Sequence, residues 1–382
     1  MLASSQSPRP ARIAVSTFFF MAGICFASWA SRIPDIQHKL NLSEAGLGTV
    51  LFAMPVGSML TLLLAGQLVA RFGSRYSMLF ATVVYAVLLC SIGLVDATWQ
   101  LVAVLFFFGV TGNLMNISMN TQAVGVEGLY GRSVMASFHG LWSLAGFIGA
   151  AIGSLLIAQK ISPFIHFLLV AALIGLLILI VFRYSLKQDS QKDSGSFKFA
   201  LPHASLIKLG IISFCCMACE GCMFDWSGIY FREEVHAPQN LVTLGYTTFM
   251  ATMASGRFVA DWLVTKAGVK RTLQVSGTLI TLGLLTAVIL PNIYAATAGF
   301  FITGLGVSSV VPLVYGLAGK SKFMSPSMAI ASVSTIGFLG FLFGPPVIGY
   351  IAQASNLRWS FALMAVLGFG TALLASKAEV SE

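Results

Sequence analysis

Glu220 and Asp225 fall inside an apolar run, residues 205–231. A charged side chain at the centre of such a run costs roughly 2.5–3.5 kcal/mol on insertion scales and usually faces a cavity or a partner. A carboxylate escapes that cost by taking up a proton. Glu220 and Asp225 are therefore expected to bind and release one, with Glu220 as the coupling site. His139 joins them because an unperturbed imidazole titrates near pH 6.5. Five positions separate the two carboxylates, roughly 140° on a regular helix. Both face one cavity only if the helix breaks, and Gly221 and Gly228 supply the freedom for a break. The competing reading is a static ion pair between Arg32 and Asp225 or Glu220.

Other polar residues recur at helical spacing. Asn113, Asn116, Asn120 and Glu127 fall on one face, within about 60°. Asn donates and accepts, which suits the hydroxyls or amides of a polar solute. The bland alternative is hydrogen bonding between helices. Trp29 and Arg32 share a face with Cys25 and Ser28, and Trp142 with His139 and Ser143. Trp226 follows Asp225, and Tyr315 aligns with Ser308 and Pro312. Trp29, Arg32, Asn113, Asn116, Asn120, Trp142, Trp226 and Tyr315 are the expected substrate-binding residues. A second group sits near span ends and reads as a gate: Arg71, Arg75, Glu127, Arg257 and Asp261. Cys215, Cys216, Cys219 and Cys222 include a C-x-x-C but lie within an apolar run, so packing is expected, not metal.

The elements that carry these residues follow from composition. Only 9% of the 382 residues are Asp, Glu, Lys or Arg, and 57% are hydrophobic. Water-facing domains carry about 25% charged residues, which excludes a soluble enzyme, a nucleic-acid binder and a disordered chain. Twelve apolar stretches are long enough to cross a bilayer: 12–33, 45–69, 76–95, 100–126, 133–158, 163–184, 205–231, 241–264, 272–291, 294–317, 327–353 and 358–377. Unalternating apolar runs predict helices, not a barrel. The first run resembles a secretory signal, but it carries Trp29 and Arg32 and is read as a span. With both termini on the cytoplasmic side, sixteen of the 22 Lys and Arg lie inside, four outside, and Arg32 and Arg257 within spans. That bias predicts an integral protein of a bacterial inner membrane.

The chain also repeats. Gly66 to Arg75 reads GQLVARFGSR, and about 195 residues later Asp261 to Lys270 reads DWLVTKAGVK. Trp29 has a counterpart in Trp226. The polar stretch KQDSQKDSGSFK, from Lys187 to Lys198, falls between the repeats. The expected architecture is all-α, with two pseudo-symmetric six-helix bundles, residues 1–184 and 205–382, joined by a cytoplasmic linker, 185–204.

The segment Gly66 to Arg75 resembles the signature between helices two and three of the major facilitator superfamily. The family's Asp position is Ala70 here, which implies a rebuilt gate latch, with Glu127 as a substitute. Ser28-Trp29-Ala30-Ser31-Arg32-Ile33-Pro34, His139-Gly140-Leu141-Trp142-Ser143, Glu220-Gly221 with Asp225-Trp226, and Gly344-Pro345-Pro346 with Gly349-Tyr350 resemble the bacterial YbjJ-like branch. That branch is similar to the fucose-type sugar–proton symporters. The resemblance implies a proton-coupled symporter working by alternating access on a small polar solute, a sugar or sugar derivative. The alternatives are a proton-driven antiporter exporting a drug or metabolite, and a membrane sensor that kept a carrier fold. Span five lacks the Gly-Pro pattern usual in the antiporters, which favours uptake. No GK[ST] phosphate loop occurs, so ATP drive is not expected. The expected partners are a small-molecule substrate, protons and the lipid bilayer, with no nucleic acid and no cofactor. The protein is expected to be a monomer and not an enzyme.

Overall fold

A computed structural model describes residues 7–131, 134–187, 204–321 and 326–376; the side chains at 62, 63, 136, 204, 205, 258, 261, 326 and 327 are not part of that description. Every long element among the described residues is an α-helix. In chain order they are α1 Pro8–Lys39, α2 Glu44–Leu51, α3 Ala53–Phe72, α4 Ser74–Leu94, α5 Thr98–Tyr130, α6 Met135–Ala158 and α7 Pro163–Val181. There follow α8 Ala204–Glu233, α9 Leu244–Ile289, α10 Ile293–Ala318, α11 Pro326–Ala354 and α12 Leu357–Ser376.

Among the described residues ten helices are long and apolar enough to cross a membrane, and Glu44–Thr61 with Leu64–Phe72, which together cover α2 and α3, makes an eleventh span if that bent pair is counted as one. The remaining difference from twelve lies in α9. Its 46 residues would extend about 69 Å at 1.5 Å per residue, more than twice the roughly 30 Å of hydrocarbon. Gly268 interrupts it with φ 78° and ψ 161°. The expected spans 241–264 and 272–291 are thus one helical run turned at a glycine, without a separate loop. Gly73, its counterpart in the sequence repeat, adopts the same conformation (φ 79°, ψ 147°) between α3 and α4. That backbone region is open essentially to glycine alone, so the signature glycines turn the chain between paired helices in both repeats.

The short connections are capped locally. Ser43 accepts from Gly46 N to start α2, Ser162 from Ile165 N to start α7 with Pro163 in the first turn, and Asn292 from Ala295 N to start α10. Each satisfies an amide that the helix cannot.

By contacts the chain forms two compact units, Met1–Arg32 with Ala53–Phe197, and Ile33–Phe52 with Lys198–Glu382. In the first, α5 packs on α3 and α4, and Gly57 lies against the Phe106 carbonyl, where a Cβ would not fit. In the second, α9 packs on α10 and α12, and α8 on α11, with Gly283 against the Gly299 carbonyl and Gly340 against that of Phe214. Such contacts bring helices close enough for dispersion to hold them in lipid. The segment Ile33–Phe52 groups with the second unit for definite reasons. Arg232 donates to the Pro34 carbonyl at 2.7 Å and to Gln37 Oε1 at 2.5 Å, Thr49 meets Tyr350 at 3.2 Å, and Gly349 abuts the Glu44 carbonyl. Most of the expected linker, and the basic residues Arg132, Lys192, Lys198, Lys322 and Lys377, lie outside the described residues.

The glycine turn gives a direct test. Nothing lies within 4 Å of a Cβ built at Gly268, so Gly268→Ala meets backbone strain without a clash. It should cost about 1–3 kcal/mol, read as a lower unfolding temperature in detergent. Gly66→Ala, equally open but helical, should leave stability unchanged or raise it by up to about 1 kcal/mol.

Candidate functional site

Helix α8 carries the two carboxylates, and it is continuous from Ala204 to Glu233. The expected break at Gly221 or Gly228 does not occur. Both glycines serve close packing instead: a Cβ at Gly221 would lie 2.8 Å from Phe341 Cδ1, and one at Gly228 2.9 Å from Pro34 Cγ. Glu220 and Asp225 therefore point to different surroundings, and both are buried, at 9% and 7% exposure.

Around Glu220 the second unit gathers a polar cluster. Arg257 of α9 is close enough for its charge to act on the Glu220 carboxylate. Tyr315 of α10 is likewise within electrostatic reach of Glu220 and within hydrogen-bonding reach of Ser213 and Ser334. Arg257 and Tyr315, set apart in sequence, thus both bear on one buried carboxylate. Asp225 instead faces Tyr246 of α9 and Cys222. Trp226 is fully buried, and its indole N–H and the Tyr246 hydroxyl lack a hydrogen-bond partner among the described residues. The thiols pack between helices: Cys216 lies 3.9 Å from the Val307 carbonyl and Cys219 3.2 Å from that of Met364.

The first unit distributes its polar residues differently. Asn113 donates to the Ser58 carbonyl of α3 at 3.0 Å, so at least part of this stripe ties helices together. Asn120 donates to Asn116 Oδ1 at 3.0 Å, and Asn116 itself is exposed. Trp29 is fully buried, its indole N–H unpartnered among the described residues. Trp142 lies 6.2 Å from Phe26, and exposed His139 sits edge-on to Phe19 at 5.2 Å.

Of the expected gate residues, Arg75 donates to the Phe182 carbonyl at 3.2 Å and lies 4.6 Å over the Phe182 ring. Exposed Arg71 lies 5.4 Å over the neighbouring Phe72 ring. Glu127 accepts from the amides of Val134 and Met135 at 2.8 and 3.1 Å, capping the start of α6. Arg257 belongs to the Glu220 cluster, and the Asp261 side chain lies outside the described residues.

Sequence reasoning passed over three buried residues. His166 accepts from Arg32. Gln122 bridges Ser74 Oγ at 2.6 Å and both backbone groups of Leu186. Tyr246 faces Asp225. His166 and Gln122 gave a signal only as lone polar residues in apolar runs, without helical companions.

Helices that cross a bilayer, in two repeats with buried ionisable clusters, define a polytopic membrane transporter. The family model for the Major Facilitator Superfamily matches residues 13–322 and 209–379. The chain belongs to that superfamily. It is 32% identical to an uncharacterised MFS-type transporter of Yersinia pestis, over 91% of each chain. It is 29% identical to the membrane protein MosC of Rhizobium meliloti, over 93% of this chain and 87% of that one. Among solved structures it resembles the nucleoside transporter NupG (TM-score 0.77, 12% identity, 95% and 98% of the two chains). It also resembles the E. coli fucose:proton symporter FucP (TM-score 0.62, 16% identity, 97% and 98%). At such identities these likenesses establish the fold.

The Glu127 contact is open to mutation. Glu127→Ala removes the acceptor of two α6 amides and should lower stability by about 1–2 kcal/mol, measured by thermal unfolding in detergent. Glu127→Gln keeps an acceptor and should lose less. An equal loss in both variants would assign the effect to charge.

Proposed function

We propose that this transporter carries a small polar solute by proton-coupled symport with alternating access. The observation that supports it most is the buried Glu220 with Arg257 and Tyr315 about it. A carboxylate facing a cation stays charged at a tolerable cost in a low-dielectric surrounding. Protonation would cancel the attraction and free the Arg257 guanidinium. One group would then take the proton while another changes partner, as coupling requires.

The substrate class rests on the chemistry of the expected binding residues. Trp29, Trp142 and Trp226 offer apolar faces with N–H donors, and Asn116, Asn120 and Tyr315 offer both donors and acceptors. Such a set suits hydroxylated rings. The fold neighbours named for fucose and for nucleosides agree with that class. In this reading Asp225 and His139 are accessory proton sites, and Arg71, Arg75, Glu127 and Asp261 belong to the gate. The two six-helix halves, 1–184 and 205–382, move about the linker. The Lys and Arg bias supports an inner-membrane protein with both termini in the cytoplasm, and we read it as acting as a monomer.

Vesicles holding the purified protein, under an imposed inward proton gradient, test this with a panel of labelled monosaccharides and nucleosides. The wild type should accumulate at least one of them. Glu220→Gln should lose accumulation against the gradient while retaining exchange counterflow. Intact proton-driven accumulation in that variant would refute coupling at Glu220, and gradient-driven expulsion would reverse the direction to antiport.

A further inference from the structure

In the first unit, arginines gather at one end of the helices with no acid beside them. There α3 ends at Phe72, α4 starts at Ser74, and α7 ends at Val181, followed by one helical turn, Phe182–Tyr184. Helices α4 and α7 pack on each other. Buried Gln122 of α5 fixes their ends side by side. It donates to Ser74 Oγ at 2.6 Å and to the Leu186 carbonyl at 3.1 Å, and accepts from the Leu186 amide at 2.8 Å. Arg75 and Arg183 therefore stand on adjoining, fixed backbone, with Arg71 in the last turn of α3.

Each guanidinium lies over a ring: Arg75 4.6 Å from the Phe182 centroid, Arg183 4.7 Å from that of Tyr184, and Arg71 5.4 Å from that of Phe72. A ring takes the face of a guanidinium and leaves its in-plane N–H groups for an acceptor. Arg75 spends one of these on the Phe182 carbonyl, at 3.2 Å. No carboxylate pairs with any of the three arginines among the described residues. Residues 53–94 and 163–187 contain no Asp or Glu at all, and Glu127 of α5 accepts from the first amides of α6. Tyr76 and Tyr184 are exposed beside the arginines, and tyrosines concentrate where hydrocarbon gives way to headgroups. Below Tyr76, the exposed Phe80, Val83 and Val87 continue the same face of α4 into the apolar layer.

We propose that Arg75 and Arg183, with Arg71 at the rim, bind the phosphate headgroup of an anionic phospholipid at the ends of α4 and α7. Charge complementarity calls for an anion, since the site supplies cations and no counter-charge. Its depth calls for an anion anchored in the bilayer, with its headgroup level with the tyrosines and its tail along the apolar face of α4. A guanidinium holds a phosphate through two parallel N–H donors, and basic pockets between membrane helices on the cytoplasmic side suit such headgroups. The Lys and Arg bias assigns this end to that side. The lipid bridges two helix ends that the protein itself joins through Gln122. The site does not rest on the symport reading.

The experiment uses the purified full chain in detergent and counts bound lipid by native mass spectrometry. Phosphatidylglycerol is titrated against phosphatidylcholine with the same acyl chains. The wild type should retain phosphatidylglycerol in preference. Arg183→Gln leaves the Arg75 contact with the Phe182 carbonyl in place and should weaken phosphatidylglycerol binding about fivefold, the effect of one cation at an anionic surface. Arg75→Gln combined with Arg183→Gln should weaken it about 25-fold and leave phosphatidylcholine binding unchanged. If the double variant does not fold, Arg183→Gln alone decides. Lys270→Gln with Arg271→Gln, which removes two exposed cations from α9, should change neither lipid. Equal binding of both lipids by the wild type would overturn the proposal, as would unchanged binding in Arg183→Gln. An equal loss in the α9 variant would also overturn it, by assigning the preference to net charge. Excess inorganic phosphate should not displace the lipid; full displacement would make this a site for a free anion and overturn the lipid assignment.

Discussion

A peptide group left unpaired in hydrocarbon costs several kcal/mol, and that penalty shapes every level of this protein. It forces the chain into helices, whose backbone bonds close within each segment. It confines irregular backbone to caps such as Ser43, Ser162 and Asn292, and to turns such as Gly73 and Gly268. Lipid offers no hydrophobic drive between helices, so association depends on close approach and dispersion. The glycines at Gly57, Gly283 and Gly340 meet that need by letting one helix rest on another's backbone.

The same penalty decides where polar side chains go. Asn113 spends its amide on the Ser58 carbonyl, Gln122 holds Leu186 on both sides, and Glu127 covers the first amides of α6. These residues act as backbone partners, which a membrane interior rewards strongly. Residues placed otherwise stand out against them. Glu220 shares its surroundings with Arg257 and Tyr315, His166 with Arg32, and the indoles of Trp29 and Trp226 are buried without a hydrogen-bond partner among the described residues. The two indoles occupy equivalent places in the sequence repeat. Buried donors in such a state carry a cost.

Composition and periodicity determined the class of this protein: 9% charge and twelve apolar runs leave an all-helical membrane protein, and the repeat around Gly73 and Gly268 marks its duplication. These features are local, since bilayer thickness sets helix length and a glycine-only conformation demands glycine. The packing glycines show where local reading ends. Gly221 and Gly228 look alike as hinges or as contacts, and only Phe341 and Pro34 pressing on them decide for contacts. Partnership was decided by tertiary structure in the same way. Arg257 and Glu220 are 37 residues apart and Arg32 and His166 134, and no helical period relates either pair. A helix face can be read from spacing. Which neighbouring helix it meets depends on how the helices pack, and that holds for the charges as well.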